Sequence, residues 1–248
     1  MKTEQEFKQL VRKKIAGYYT SEGYYTRAIE RIASVREEII GLIQSVKKVD
    51  TTKLLEYMDS SGFFYRPSGP SRKHHPFPGG LAEHSLGVFR FVEEWNNMTP
   101  EERKNSELYN FNLSTKRVFC NIFTEKMEPD DMVLAAICHD LCKADMFYFK
   151  GRSILAHHRE DSGHSRLSKR RLMRYGVKGL DCQEILLAVE THMHLFSYSS
   201  EKEVMRTRLK GRKSMLAIAV WAADKLDASI HPGKKTTRPS SNNTNNHN

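Results

Sequence analysis

Five side chains that bind metal ions well interrupt stretches of sequence that are otherwise apolar. They lie in the segments LAEHSLGV, ICHDLC, VETHMH and VWAADKLDA, as His84, His139, Asp140, His192 and Asp224. A single buried histidine or aspartate is more often a hydrogen-bonded core residue than a ligand. Because these five are distributed over four predicted helices, convergence on one or two divalent cations in a helical bundle is the most economical interpretation.

A cation held by imidazole nitrogens and carboxylate oxygens suits the hydrolysis of a phosphate ester. Such an ion lowers the pKa of its water and polarises the phosphate, and the reaction needs both near neutral pH. A mixed nitrogen and oxygen shell is compatible with Mn²⁺, Fe²⁺, Zn²⁺, Ni²⁺ or Mg²⁺. The residue types therefore predict one or two divalent ions without choosing their identity.

The stretch LAAICHDLCKAD places the pair His139 and Asp140 at the end of an apolar run. Burying this pair is unfavourable unless a partner or a cation offsets the lost hydration. Lys143 follows His139 by one helical turn, so its ammonium group can face the same side and contact a phosphate. An exposed lysine at a helix end is the alternative. We expect Asp140 and Lys143 to take part in catalysis.

The composition is that of a soluble globular protein with a basic surface. Of 248 residues, 39% are hydrophobic and 28% are charged, and the formal net charge is +10. We find no apolar run of membrane-spanning length and no signal-peptide pattern. The four cysteines include no Cys-x-x-Cys pair, which argues against a zinc ribbon or a disulfide framework and favours a reduced, cytoplasmic compartment.

The positive charge favours phosphorylated or polyanionic partners, and two groups of basic residues contribute to it. A low-complexity basic tail, residues 234–248, is expected to be disordered. A second group lies inside a predicted helix and consists of Arg166, Lys169, Arg170, Arg171 and Arg174. This group is either a solvated helix face or a surface that faces phosphates.

Helical periodicity dominates the chain and predicts an all-α fold without a sheet core. Residues 25–47 form a long amphipathic helix. Thr99 is an expected helix start, and Gly62 and Gly176 are expected helix ends. The loop FFYRPSGPSRKHHPFPGG is rich in proline, glycine and serine. The segment MFYFKGRSILAHHREDS is either a short hairpin or a loop.

The order of these motifs resembles that of the HD-domain metal-dependent phosphohydrolases. HHPFPGGLAEHSLGV, residues 74–88, is similar to HD domains of the bacterial 3′-to-5′ exonuclease type and to related uncharacterised hydrolases. HDLCKAD resembles the family's His-Asp-φ-x-Lys pattern, although Cys142 stands where glycine is commoner. GHSRLS, THM and WAADKLDA resemble its later elements. The resemblance covers roughly residues 51–231.

The resemblance implies an HD-type helical bundle over residues 51–233, preceded by an N-terminal helical extension over residues 1–50. It makes His84, His139, Asp140 and Asp224 the primary metal ligands. His164 and His192 then hold a second metal or face the substrate, and Asp140 bridges two ions if both are present.

Substrate contacts are expected from Lys143, from Ser168 in GHSRLS, and from three residues of the loop before His84. In that loop Arg72, His74 and His75 either grip a phosphate or base of the substrate or are plain loop residues. His157 or His158 is an alternative to His164 as ligand, and His194 is expected either behind the ligands or at the surface.

Three functions follow. The first is a phosphohydrolase acting on a nucleotide or another small phosphorylated molecule. The second is a nuclease that trims single-stranded RNA or DNA with the same site, although no OB-fold or aromatic stacking platform is recognisable. The third, ranked lowest, is a metal-binding regulatory domain without turnover. No pattern indicates a membrane partner, and the sequence leaves the oligomeric state open.

Overall fold

The computed structural model of the protein describes residues 1–105, 126–157, 163–193 and 215–230. Within these ranges the chain is helical apart from one two-stranded sheet. The elements are α1 Glu4–Lys14, α2 Glu22–Ser45, α3 Thr52–Ser61, α4 Gly80–Asn97, α5 Pro100–Asn105, α6 Pro129–Cys138, α7 Lys143–Met146, β1 Phe147–Lys150, β2 Ser153–Ala156, α8 His164–Arg174, a 3-10 helix Leu180–Cys182, α9 Gln183–Thr191 and α10 Met215–Ile230. The predicted all-α class is confirmed.

Four helices form the centre of the bundle. α4 and α6 pack against each other and against α10, while α9 packs against α6 and α10. α6 and α10 are apolar nearly all round, from Met132 to Cys138 and from Met215 to Val220, which is the pattern of fully buried helices. α8 packs against α9 at the edge of this group. The bundle therefore holds the ends of several helices in fixed positions.

The N-terminal helices share the core of the bundle. Phe7, Val11 and Ile15 are fully buried, and α2 packs against α1, α4 and α6. Each such side chain contributes about 1.5 to 3 kcal/mol through burial. The predicted helix over 25–47 corresponds to α2, whose buried residues include Ile32, Ile39 and Ile43.

A buried ion pair fixes the start of the chain. Arg36 in α2 donates to Oδ1 of Asp59 through Nε at 3.2 Å and Nη2 at 3.1 Å. The backbone N–H of Lys2 donates to the other oxygen of Asp59 at 2.9 Å, and its carbonyl accepts from Arg36 at 2.8 Å. Both Arg36 and Asp59 are almost completely buried, so removing either would leave the charge of the other buried without its partner.

The helix boundaries follow local chemistry. Thr99 caps α5: its hydroxyl accepts from the Glu102 N–H, and the Glu102 carboxylate accepts from the Thr99 N–H. Gly62 ends α3 with a φ of +93°, and Gly176, two residues after α8, has a φ of +109°. These predicted boundaries are confirmed.

The segment MFYFKGRSILAHHREDS, for which the sequence allowed either a hairpin or a loop, contains a hairpin. β1 and β2 pair antiparallel, with Phe147 opposite Ala156 and Lys150 opposite Ser153. The turn between them uses Gly151, with a φ of +57°. The predicted helix around VETHMH ends earlier than expected, because α9 stops at Thr191 and His192 lies in the following turn.

The loop before α4 approaches the helix very closely. A β-carbon on Gly80 would lie 2.1 Å from the carbonyl oxygen of His75, so only glycine fits there. His75 has a φ of +47° and is the one non-glycine residue in the described ranges with positive φ. In the same ranges no helix is both long and apolar enough to cross a membrane.

Candidate metal centre

Five elements bring the predicted ligands to one point inside the bundle. His84 lies in the second turn of α4, Asp224 in α10, and His139 and Asp140 directly after α6. His164 is the first residue of α8, and His192 directly follows α9. All are buried except His164, which is partly exposed.

One group of donor atoms comes from His84, His139, Asp140 and Asp224. Nε2 of His84 lies 3.1 Å from Nε2 of His139 and 3.2 Å from Oδ1 of Asp224. Oδ2 of Asp140 lies 3.6 Å from Nε2 of His84 and 3.4 Å from Nε2 of His139. We call these four atoms the first group.

A second group uses the other oxygen of the same aspartate. Oδ1 of Asp140 lies 3.4 Å from Nε2 of His164 and 3.5 Å from Nε2 of His192. Asp140 therefore turns one carboxylate oxygen to each group, which is the arrangement of a bridging carboxylate.

The imidazole rings are held so that Nε2 faces the centre. Nδ1 of His139 lies 2.7 Å from the Ala136 carbonyl oxygen, and Nδ1 of His192 lies 2.8 Å from that of Val189. Since a carbonyl only accepts, both Nδ1 atoms carry a proton and donate. The opposite nitrogen is then available as a ligand, as in protein metal sites where a backbone carbonyl or carboxylate orients the ring.

The separations and the hydrogen bonding fit a divalent cation. Around an ion with bonds of about 2.0 to 2.2 Å, neighbouring ligand atoms lie roughly 3 to 3.6 Å apart. Three buried atoms of the second group have no hydrogen-bond partner in the described part of the chain: Oδ1 of Asp140, Nε2 of His164 and Nε2 of His192. Because buried polar atoms are nearly always hydrogen-bonded, three of them at one point suit an ion.

Electrostatics keeps the carboxylates ionised. Burial raises the pKa of Asp140, but the nearby Lys143 ammonium and the His139 ring outweigh it and hold the pKa well below its usual range. Burial likewise raises the pKa of Asp224, and the hydrogen bond and charge of His84 hold it well below its usual range. Ionised carboxylates are the form that binds metal.

The imidazoles divide into two kinds. Burial lowers the pKa of His139, and it lowers the pKa of His164 to about 4, so both rings are neutral near pH 7. Burial also lowers the pKa of His84, but Asp140, Asp224 and Asp227 outweigh it and raise the pKa to about 10. The negative charge of these three carboxylates, which stabilises a proton on the His84 ring, also stabilises a metal cation at the same place.

Lys143 lies at the centre and contacts Asp140. Its side chain is largely buried, and Nζ donates to Oδ2 of Asp140 at 2.5 Å. The sequence left an exposed, solvated lysine as the alternative, and burial argues against it. The ammonium group lies beside the carboxylate that both groups share.

Asp227 was missed by the sequence interpretation. Its Oδ2 lies 2.6 Å from Nδ1 of His84, where it accepts the proton that directs Nε2 toward the first group. The available signal was the spacing of Asp224 and Asp227, which puts both on one face of α10. A β-carbon on Gly87 would lie 2.1 Å from Oδ1 of Asp227, so the glycine lets α10 approach α4 this closely.

The loop residues predicted to contact substrate lie in different surroundings. The rings of His74 and His75 both lie against His84, with centroids 4.5 and 5.3 Å away. Nε2 of His75 is 3.5 Å from Oδ2 of Asp227. Burial lowers the pKa of His74 to about 3. Arg72 is exposed.

Ser168 contacts the turn that follows His139 and Asp140. It is fully buried, and its hydroxyl accepts a hydrogen bond from the Cys142 N–H at 3.2 Å. This contact fixes the backbone two residues after Asp140.

The alternative ligands fall outside the two groups. His157 is exposed and stacks on Tyr148 with ring centroids 4.1 Å apart. His158, His194 and the tail 234–248 lie outside the described residues. The geometry therefore favours His164 over His157 as the partner of His192.

Comparison with known proteins gives one result that bears on this centre. A family model described as HD domain matches residues 81–229, a range that contains both groups and Asp227. Searches among curated proteins and among solved structures returned no match.

Proposed function

The chain belongs to the HD-domain family, whose members are generally metal-dependent hydrolases, and from this premise we propose that it is a phosphohydrolase. It cleaves a phosphoester of a nucleotide or another small phosphorylated molecule. His84, His139, Asp140 and Asp224 would hold one divalent ion, and His164 and His192 would hold a second together with Asp140.

The observation that carries this proposal is the division of the Asp140 carboxylate between two groups of donors. One oxygen lies 3.4 to 3.6 Å from the two imidazoles of the first group, and the other lies 3.4 to 3.5 Å from those of the second. Paired ions that share a carboxylate are typical of phosphoester cleavage.

Divalent ions bound there would acidify water and offset the negative charge of the phosphoryl oxygens. The protein's own residues then orient the reactants. Asp227 fixes the ring of His84, and the carbonyls of Ala136 and Val189 fix those of His139 and His192. Lys143 places a positive charge beside Asp140, where it can attract a phosphate.

The test uses purified protein stripped of metal and reloaded with Mn²⁺. Turnover is measured on a panel of nucleotides, cyclic nucleotides and single-stranded oligonucleotides. We expect Mn²⁺-dependent phosphoester cleavage, and we expect the Asp140→Ala variant to lose both activity and bound metal while its helical circular dichroism is retained.

Asp181→Ala serves as the matched control, because this aspartate is exposed at the start of the 3-10 helix and should leave activity unchanged. Tight metal binding without turnover on any phosphoester would contradict the proposal and favour a regulatory domain. Full metal content in Asp140→Ala would contradict the ligand set.

A nuclease acting on single-stranded nucleic acid is the second candidate, and the surface of α8 favours it. Arg166, Arg170 and Arg174 are exposed and spaced four residues apart, so they form a stripe along the helix that begins with His164. The other two basic residues of the run are paired, Lys169 with Glu190 and Arg171 with Asp145. A stripe of this kind can follow a phosphate backbone.

A charge reversal in this arginine stripe distinguishes the two candidate functions. If the substrate is a polymer, we expect Arg170→Glu to weaken oligonucleotide binding. The slope of the logarithm of the binding constant against the logarithm of the salt concentration should then become shallower by about 0.7 for each phosphate contact that is lost. Turnover of a mononucleotide should not change. Lys13→Glu, an exposed lysine in the last turn of α1, is the control with the same change in charge. Equal effects of both variants would point to net charge alone.

A further inference from the structure

The loop before α4 contributes a donor atom that the ligand set above does not use. His74, His84 and Asp224 each offer one ligand atom, and these three atoms lie within 4.8 Å of one another. Nε2 of His74 is buried and has no hydrogen-bond partner in the ranges that the structure describes. The His74 ring centroid is 4.5 Å from that of His84.

Backbone contacts fix this loop in place. The Ser68 hydroxyl donates to the carbonyl of His74 at 2.6 Å, and the Ser68 N–H donates to that of His75 at 3.3 Å. The His75 carbonyl also accepts from Phe77 at 2.9 Å and lies against Gly80. Hydrogen bonds to two successive carbonyls hold His74 beside the first group.

The position of the His74 ring decides between two roles for this residue. A residue that binds only a phosphate of the substrate has no need to lie among the donor atoms of the ion. One ring nitrogen of His74 instead lies within 4.8 Å of donor atoms of His84 and Asp224, which belong to the first group, and Nε2 of this ring is enclosed. Its position is that of a ligand atom.

We propose that His74 is a fifth protein ligand of the ion held by the first group. This inference rests on the metal-dependent function proposed above. His74 precedes residues 81–229, the range that matches the family, so the ligand comes from the loop and not from the matched bundle. With five protein ligands an octahedral ion retains one open position instead of two.

The experiment uses the full chain and Mn²⁺. The first group has more protein ligands than the second, so one molar equivalent of Mn²⁺ should load it preferentially. Pulsed electron paramagnetic resonance on the wild type counts imidazole nitrogens on the ion, and ¹⁷O-labelled water counts its water ligands. We expect three imidazoles, from His74, His84 and His139. Two imidazoles would overturn the proposal.

Variants supply an independent readout. We expect His74→Ala to bind Mn²⁺ at least about tenfold more weakly and to gain one water ligand. His74→Gln should also lose one imidazole nitrogen, and it retains a polar side chain in case the alanine variant unfolds. His157→Ala, which changes an exposed histidine, should match the wild type.

Unchanged affinity and water count in a folded His74→Ala variant would overturn the proposal and leave the four-ligand site intact. A wild type that binds no Mn²⁺ would overturn the proposed function itself, and the two failures are therefore distinguishable.

Discussion

Asp227 contacts the candidate centre through an imidazole ring and not through the ion site itself. Its Oδ2 accepts from Nδ1 of His84 at 2.6 Å and lies 3.5 Å from Nε2 of His75. A carboxylate in this position fixes the tautomer of the ring and increases the basicity of the opposite nitrogen. The affinity of the first group for an ion should therefore depend on Asp227.

We expect Asp227→Asn to weaken Mn²⁺ binding about 10- to 100-fold, because the asparagine retains the size of the side chain but removes its charge. Isothermal titration calorimetry measures the change. Asp224→Asn, which removes a proposed ligand atom, should have the larger effect. The role given to Asp227 would be wrong if its variant bound Mn²⁺ as tightly as the wild type.

Five of the six candidate ligands were predicted from the sequence because each is a polar residue within an apolar helix or at the end of one. The sixth, His164, lies at the start of a polar helix and was implied only by the resemblance of GHSRLS. Asp227 was missed despite its spacing from Asp224, and His74 was predicted only as a possible substrate contact. The approach of Asp227 to His84 depends on Gly87, 140 positions earlier in the chain. The inward position of His74 depends on the conformation of its loop, in which the next residue, His75, has a positive φ. The spacing of apolar residues in the sequence does not predict such a conformation.

At the scale of secondary-structure elements, α1 and α2 are tied to α3 by the pair of Arg36 and Asp59. Burial raises the pKa of Asp59, but hydrogen bonds from Lys2 and the charge of Arg36 outweigh it and leave the pKa below its usual value. A carboxyl with a depressed folded-state pKa stabilises the protein above its unfolded pKa, near 3.9, and loses that contribution as the pH falls through the folded value.

We therefore expect Asp59→Ala to lower the free energy of unfolding by about 3 to 5 kcal/mol at pH 7, because it leaves Arg36 buried without its carboxylate. The difference from the wild type should persist at pH 5 and shrink below pH 4. Urea denaturation at several pH values measures it.

Glu37→Ala is the control for this prediction, because Glu37 pairs with the same arginine but is exposed. Its effect should stay within about 1 kcal/mol. A pH-independent effect of Asp59→Ala would show that packing and not charge is responsible.

Helices were predictable where apolar residues recur every three or four positions, as in α2. The hairpin β1–β2 was left open because four-residue strands carry too few positions to show alternation. The end of α9 before His192 was also missed. The sequence VETHMHLF continues the helical pattern, whereas the structure turns after Thr191 and so directs His192 toward Asp140.

For the whole molecule, the two groups of donors connect helices from distant parts of the chain. α4, α6, α8, α9 and α10 all contribute through their own residues or through those that directly follow them. A cation at this point should therefore oppose separation of the helices and stabilise the fold.

Removing the metal with a chelator should lower the unfolding temperature. At a free ion concentration 100 times the dissociation constant, bound metal contributes about 2.7 kcal/mol, or roughly 5 to 11 °C for a chain of this length. Differential scanning calorimetry with and without Mn²⁺ measures the shift. Asp140→Ala should show no response to Mn²⁺, and an equal response in both proteins would place the stabilising ion elsewhere.

The close approach of α10 to α4 also affects attempts to make the protein more heat-resistant. Replacing a glycine within a helix by alanine ordinarily stabilises a protein by up to about 1 kcal/mol. Gly41 in α2 should respond in this way, since a β-carbon there meets nothing within 4 Å. The same substitution at Gly87 should displace the carboxylate of Asp227 and weaken Mn²⁺ binding. Thermal melts and calorimetric titrations of both variants measure the two effects: Gly41→Ala should melt higher and bind Mn²⁺ as the wild type does, whereas Gly87→Ala should bind Mn²⁺ more weakly.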